Sequence, residues 1–224
     1  MSDLALLSTL GLTGVLRQLL PRYPGRVAAS YDPTAAIMAR IAGGETGDVA
    51  ILTAEGVEAL TVQGILAAGT RVDLAASGIG IAVKAGAPKP DIGTPEAFIR
   101  LLRTVPSIVY SRAGASGIYF AGLLERLGLA EAVNAKATVI PQGFTAERVA
   151  RGEAVVAVQQ ISELMAVEGV EVVGPLPGDL QTTVIFSGAL FAASARPAEG
   201  AALLRFLAGA ATPELLRAKG LQPV

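Results

Sequence analysis

The sequence predicts an α/β protein of two lobes, and three features carry that expectation. Strand and helix signals alternate strictly over the first 65 residues, which argues for a parallel sheet covered by helices. A second alternating block runs from about residue 105 to 160. Two extended stretches, near residues 71–84 and 181–193, are long enough to carry the chain out of the first block and back. The expected division is one lobe of residues 1–77 plus 187–224 and a second of residues 78–186, with a hinge in the two crossings.

The elements follow in order. Residues 4–8 form a buried strand, 12–20 a helix stopped at Pro21, and 26–31 the next strand. Pro33 suits the first turn of a helix that Gly43 and Gly44 end. Residues 48–52 make a third strand and 54–65 a third helix. Strands at 71–76 and 79–84 are expected to break at Ser77 and Gly78. Three prolines stiffen the connection 86–95, after which Thr94 caps a helix at 96–103. Strands at 107–110, 137–140 and 154–159 then alternate with helices ending at Gly128 and at Arg151. Strand 170–173 precedes the second crossing, and Pro197 and Pro213 open the last two helices.

Composition narrows the function. Hydrophobic residues make up 52% of 224 but aromatics only 4%, so the core is aliphatic. Lys and Arg number 18 against 19 Asp and Glu, with no run of like charge, which argues against nucleic acid as a partner. Cysteine and histidine are both absent, excluding disulfides, thiolate catalysis, the usual zinc ligands and a histidine base. No acidic cluster points to Mg²⁺, and no cofactor is expected. No apolar run reaches membrane-spanning length, so no membrane insertion is expected. The N-terminus lacks the pattern of a secretory signal. A cytoplasmic location is therefore expected if Met1 is the natural start; the alternative is a periplasmic protein whose signal has been removed.

Four strand-end corners carry candidate binding groups. In parallel α/β sheets, ligands lie beyond the carboxyl ends of the strands. At the first corner, Ser8 and Thr9 either cap the next helix or, with free backbone N–H groups, hold a small anion. At the second, Thr34 offers a hydroxyl, and Asp32 beside Tyr31 reads as a helix cap. The third, Tyr110 to Gly117, is the strongest local signal. Gly114 and Gly117 allow close backbone approach, Ser116 lies near a helix start, and Arg112 is suited to a two-pronged contact with a carboxylate. It lacks the lysine ending of a nucleotide phosphate loop. At the fourth, Gln159, Gln160 and Ser162 supply neutral hydrogen bonds, and Glu163 is either a first-turn residue favoured by the helix dipole or an acid–base group.

Over nearly its whole length the chain resembles the periplasmic molybdate-binding proteins and their wider type 2 solute-binding relatives. Ser8-Thr9 falls at that family's first hydroxyl corner. Thr34, ahead of Ala35-Ala36-Ile37, falls at its second binding serine. The stretch Gly43-Gly44-Glu45-Thr46-Gly47-Asp48-Val49-Ala50-Ile51 is similar to its Gly-Glu-Pro-Ala-Asp-Val-Phe-Ile segment, with Thr53 just beyond at a ligand-facing corner. Gly114-Ala115-Ser116-Gly117-Ile118-Tyr119 lies at its Pro-Ala-Gly-Arg-Tyr corner. Gln159-Gln160 replaces a tyrosine-bearing strand end, and Arg112 is an addition. The run from Ser77 to Ile92 is closer to divergent relatives, one branch of which resembles aconitate isomerase. The resemblance implies a type 2 periplasmic-binding-protein fold with two interlobe crossovers and a central cleft.

Two functions follow from these residues. One is a binding protein for a small carboxylate or tetrahedral oxyanion, serving an ABC-type importer if secreted, or acting as a sensor. The other is a cofactor-independent isomerase of a small unsaturated di- or tricarboxylate. Arg112 would clamp one carboxylate, while Ser8, Thr9, Thr34 and Ser116 hold the others. The base would then be Glu163, Asp32, Tyr31 or a lysine.

Overall fold

The computed structural model describes residues 3–224. The described residues divide into two compact units, one comprising residues 3–76 with Val184–Val224 and the other Ser77–Thr183.

Unit 1 is built on strands β1 (Leu4–Thr9), β2 (Val27–Asp32) and β3 (Val49–Thr53), with helices α1 (Thr13–Leu19), α2 (Thr34–Ala42) and α3 (Ala54–Val62) after them. β1 lies between β2 and β3 and runs parallel to both, with Thr9 opposite Asp32 and Ser8 opposite Ile51. The last strand, β9 (Thr183–Leu190), pairs antiparallel with β3. Helices α9 (Pro197–Ala210) and α10 (Pro213–Ala218) complete the unit.

The period of two in β3 explains why its sequence is continuously apolar. Val49 and Ile51 pack with Leu6, Leu16, Phe186 and Leu203 on one face of the sheet. Ala50 and Leu52 pack with Leu7, Ile37, Val57 and Phe191 on the other. Both faces carry helices, so no residue of β3 needs to meet water. Each fully buried leucine here stabilises the unit by roughly 1.5–3 kcal/mol.

Unit 2 contains β4 (Val72–Lys84), which enters it at Ser77, with β5 (Ile108–Ser111), β6 (Ala137–Ile140), β7 (Val156–Gln160) and β8 (Val170–Pro175). Its helices are α4 (Pro95–Thr104), α5 (Ala115–Arg126), α6 (Ala130–Asn134), α7 (Ala146–Ala150) and α8 (Ile161–Leu164). β5 lies between β6 and β7, parallel to both, while β4 runs antiparallel to β7 and β8. Again the faces alternate: Ile79, Ile81, Ile108, Val156 and Val158 join one core with Phe98 and Phe120, and Ala82, Val109 and Ala157 join a second. Thr94 caps α4 as the sequence indicates, its hydroxyl accepting the Ala97 N–H at 3.2 Å.

Three differences from the sequence reading matter. β4 is one continuous strand through Ser77 and Gly78, because polar side chains from elsewhere in unit 2 satisfy the backbone there. The sheets are mixed rather than parallel, since β4 and β9 run against their neighbours in the two units. The short helix α6 carries too few residues to show a helical period and was not expected.

Candidate functional site

In unit 1 the parallel register brings the carboxyl ends of β1, β2 and β3 side by side. Thr34 opens α2, and its hydroxyl accepts the Thr53 N–H at 3.3 Å. Thr53 caps α3 by accepting the Gly56 N–H at 3.2 Å. A Cβ on Gly56 would lie 2.9 Å from the Thr34 methyl, so the bare glycine lets these two corners close together. Ser8 is fully buried and donates to the Thr9 carbonyl at 3.1 Å. Thr9 precedes a 3₁₀ turn, Leu10–Leu12, but its side chain makes no cap bond, so the capping alternative for this corner does not hold.

Asp32 also differs from expectation. The cap position of α2 belongs to Pro33, and Asp32 instead accepts from Arg40 at 2.5 Å. Arg40 further donates to both oxygens of Glu45 at 2.6 Å and to Ser30 at 3.2 Å. An arginine eight positions on outcompetes local capping because it offers a charged, forked donor. Held in this way, Asp32 braces α2 against β2. Burial raises the Tyr31 hydroxyl above the ordinary phenol range, with Arg17 opposing, which makes Tyr31 a poor proton acceptor near neutrality.

In unit 2 the ends of β5 and β7 are neighbours. At the β5 end, Ser111 accepts the Gly114 N–H at 3.2 Å. A Cβ on Gly117 would stand 1.7 Å from the Ser111 carbonyl oxygen, so only glycine allows α5 to start this close to the strand. Ile118 is the first residue of α5 to bond back, to the Gly114 carbonyl at 3.0 Å. The preceding N–H groups have no intrahelical acceptor, and the helix dipole makes this end positive. The Ser116 hydroxyl lies beside them, 1% exposed and without a hydrogen-bond partner. Arg112 is exposed; its backbone N–H donates to Ile140 at 2.8 Å, and its guanidinium has no ion pair or hydrogen bond among the described residues.

At the β7 end the residues separate into braces and free groups. Gln159 accepts from the Thr145 N–H and hydroxyl, both at 2.8 Å, and donates to the Gly143 carbonyl at 2.9 Å. Its amide therefore holds the 143–145 loop and is not left for a ligand. Gln160 is likewise engaged, its amide nitrogen donating to the carbonyls of Ser77 at 2.9 Å and Gly78 at 3.1 Å. Ser162 is different: its N–H reaches Ser77, but its hydroxyl is buried and unpartnered. Glu163, in the first turn of α8, is 6% exposed. Burial pushes its carboxyl up to about 8, against hydrogen bonds from the Gln159 side chain and the Gln160 N–H.

Two residues of these corners were not singled out from the sequence. The Thr13 hydroxyl, at the start of α1, is buried with no partner. Ser77 was read only as a break between strands. Among the described residues, no three Asp or Glu side chains gather as a metal site would require.

A model of the bacterial extracellular solute-binding proteins matches residues 6–222. The chain belongs to that family. It is 36% identical over 233 residues to an aconitate isomerase of Pseudomonas sp, spanning 100% of this chain and 88% of that protein. Among solved structures it is similar to the periplasmic molybdate-binding protein of Azotobacter vinelandii, with a TM-score of 0.75 and 16% identity over 99% of this chain and 100% of the other. The sulfate-binding protein SubI of Mycobacterium tuberculosis gives 0.76 and 18%, over 100% and 88%. The fold is thus the two-lobed α/β fold of type II periplasmic binding proteins, and the role of the protein is to bind a small molecule. Family membership also corrects the expected cytoplasmic location: the family is extracellular and its solved relatives are periplasmic, which favours a periplasmic site. Among the described residues, no helix is long and apolar enough to cross a membrane.

Proposed function

We propose that the protein binds a small di- or tricarboxylate at the strand-end corners of unit 2, and delivers it to an ABC-type importer or a sensing partner. The observation that carries this reading is the group at the ends of β5 and β7. Ser116 and Ser162 are buried hydroxyls without partners, and Arg112 keeps an unpaired guanidinium. A buried hydroxyl left unbonded costs about 1–3 kcal/mol, which a ligand oxygen removes. The guanidinium fork fits a carboxylate with two parallel bonds. Calorimetric titration with citrate, cis-aconitate, trans-aconitate, sulfate and molybdate tests the reading. Carboxylate binding that weakens at least tenfold in Arg112→Ala supports it; binding of molybdate or sulfate alone, or no effect of Arg112→Ala, overturns it.

A second reading, isomerisation of an unsaturated tricarboxylate, is favoured by one observation. Glu163 is a buried carboxyl that holds its proton near neutrality, beside Ser162. Its ionised form, which accumulates as pH rises toward about 8, takes a proton from a carbon next to one carboxylate and, as the acid it has then become, returns it to the far allylic carbon. The double bond moves, the charge passes through the carboxylate-stabilised anion, and no oxidant or reductant is consumed. The relative named aconitate isomerase supports the same substrate class. An NMR time course with trans-aconitate decides it. Under this reading product peaks grow, the rate climbs with pH through about 8 as the base form accumulates, and Glu163→Gln binds without turnover. No product from the wild type, or full turnover by Glu163→Gln, removes Glu163 from the chemistry.

A further inference from the structure

Strand β4 enters unit 2 at Ser77, and there it runs past the end of its partner β7. The last paired residue is Ile79, opposite Gln160. Side chains take over from the ladder. Gln160 donates to the Ser77 and Gly78 carbonyls. Gln181 accepts the N–H groups of Ile79 and Thr182, both at 2.9 Å, and donates to the Ile79 carbonyl at 2.8 Å. The Ser77 hydroxyl donates to the Gly78 carbonyl at 3.2 Å and accepts the Ser162 N–H at 3.3 Å. Fully buried and engaged on both sides, Ser77 has no proton to spare for a ligand.

The packing leaves little slack. A Cβ on Gly80 would meet Ile161 at 2.6 Å and the Gly174 carbonyl at 2.9 Å, so α8 sits directly on β4. A Cβ on Gly78 would meet the Gln181 amide at 3.0 Å. The first turn of α8 and the entering segment of β4 therefore move together or not at all, because close-packed groups do not deform gradually.

We propose that Ser77 is a positioning residue: its hydroxyl fixes the Ser162 backbone so that the unpartnered Ser162 hydroxyl meets the bound carboxylate. The same bond passes ligand occupancy to the segment of β4 that enters unit 2. This inference rests on the carboxylate-binding reading above. Two side chains, Gln160 and Gln181, hold that segment from within unit 2, and the segment's own Ser77 hydroxyl reaches a residue whose hydroxyl is unpartnered.

Amide hydrogen exchange and titration on the full chain test it in two parts. In the ligand-free protein, Ser77→Ala is expected to speed exchange of the Ser162 amide about tenfold while Val139 in β6 is unchanged, and Ser77→Thr restores it. Unaltered Ser162 exchange in Ser77→Ala overturns the linkage whether or not any carboxylate binds. In titrations with citrate and trans-aconitate, Ser77→Ala and Ser162→Ala each weaken binding about five- to tenfold. Because both act on one contact, the double variant is no weaker than the worse single. Full affinity in Ser77→Ala, or additive losses, overturns the positioning role. If the wild type binds neither carboxylate, the binding reading fails and the ligand half of this inference falls with it, while Ser162 exchange still decides the linkage.

Discussion

Replacing Ser116 by alanine should make the empty protein more stable and the loaded protein weaker. The hydroxyl is 1% exposed and has no hydrogen-bond partner, so in the empty state it has lost water and gained nothing. That desolvation costs about 1–3 kcal/mol, and Ser116→Ala removes the group that suffers it. Taking about 1 kcal/mol as the net gain, a chain of this size melts roughly 2–4 °C higher. Under the proposed carboxylate binding the same hydroxyl would donate to a charged oxygen, a bond of about 1.5–3 kcal/mol, so affinity is expected to fall on the order of 10- to 100-fold. Ser111→Ala is the control, because that hydroxyl accepts the Gly114 N–H and its loss should lower the melting temperature. Differential scanning calorimetry without ligand and titration with citrate or trans-aconitate give the two numbers. A destabilised Ser116→Ala with unchanged affinity would refute the reasoning, since the hydroxyl would then be bonded within the protein.

Two further outcomes follow from the geometry. Gly117→Ala should cost about 3 kcal/mol or more by urea denaturation, because its methyl group would have to displace the Ser111 carbonyl or the start of α5; a neutral effect would deny the close approach. Asp48→Asn should cost about 2–4 kcal/mol by the same measurement, since Asp48 accepts from the Ala5 N–H at 2.8 Å, Ser194 at 2.7 Å and Arg196 at 2.5 Å. Burial alone would raise the Asp48 carboxyl, but these three partners outweigh it and hold it below its ordinary 3.8. Its contribution is therefore complete above about pH 4 and is lost as pH falls through the lower folded value, so wild type and Asp48→Asn should converge in acid.

How far the sequence reveals this protein depends on the range of each interaction. The Thr94 cap and the left-handed turn at Gly128, with φ of 65°, are settled within a few residues and were legible as such. The apolar run in β3 announced a strand covered on both faces. Asp32 was misread as a cap because its partner, Arg40, arrives only when α2 folds back along β2. Gln159 and Gln160 were read as ligand groups because a glutamine at a strand end looks the same whether it faces solvent or braces a loop. Their true partners, at Gly143, Thr145, Ser77 and Gly78, lie 14 or more residues away.

The sequence by itself determined the alternation of strands and helices, the aliphatic core and the strand-end corners rich in hydroxyl groups. These are consequences of periodicity and local turn chemistry, which need only neighbouring residues. Tertiary structure alone decided that β4 runs unbroken through Ser77 and Gly78, that β4 and β9 oppose their neighbours, and which hydroxyls are already bonded. Whether a polar group is satisfied depends on what the rest of the chain brings within about 3 Å of it, and no local pattern of residues carries that information.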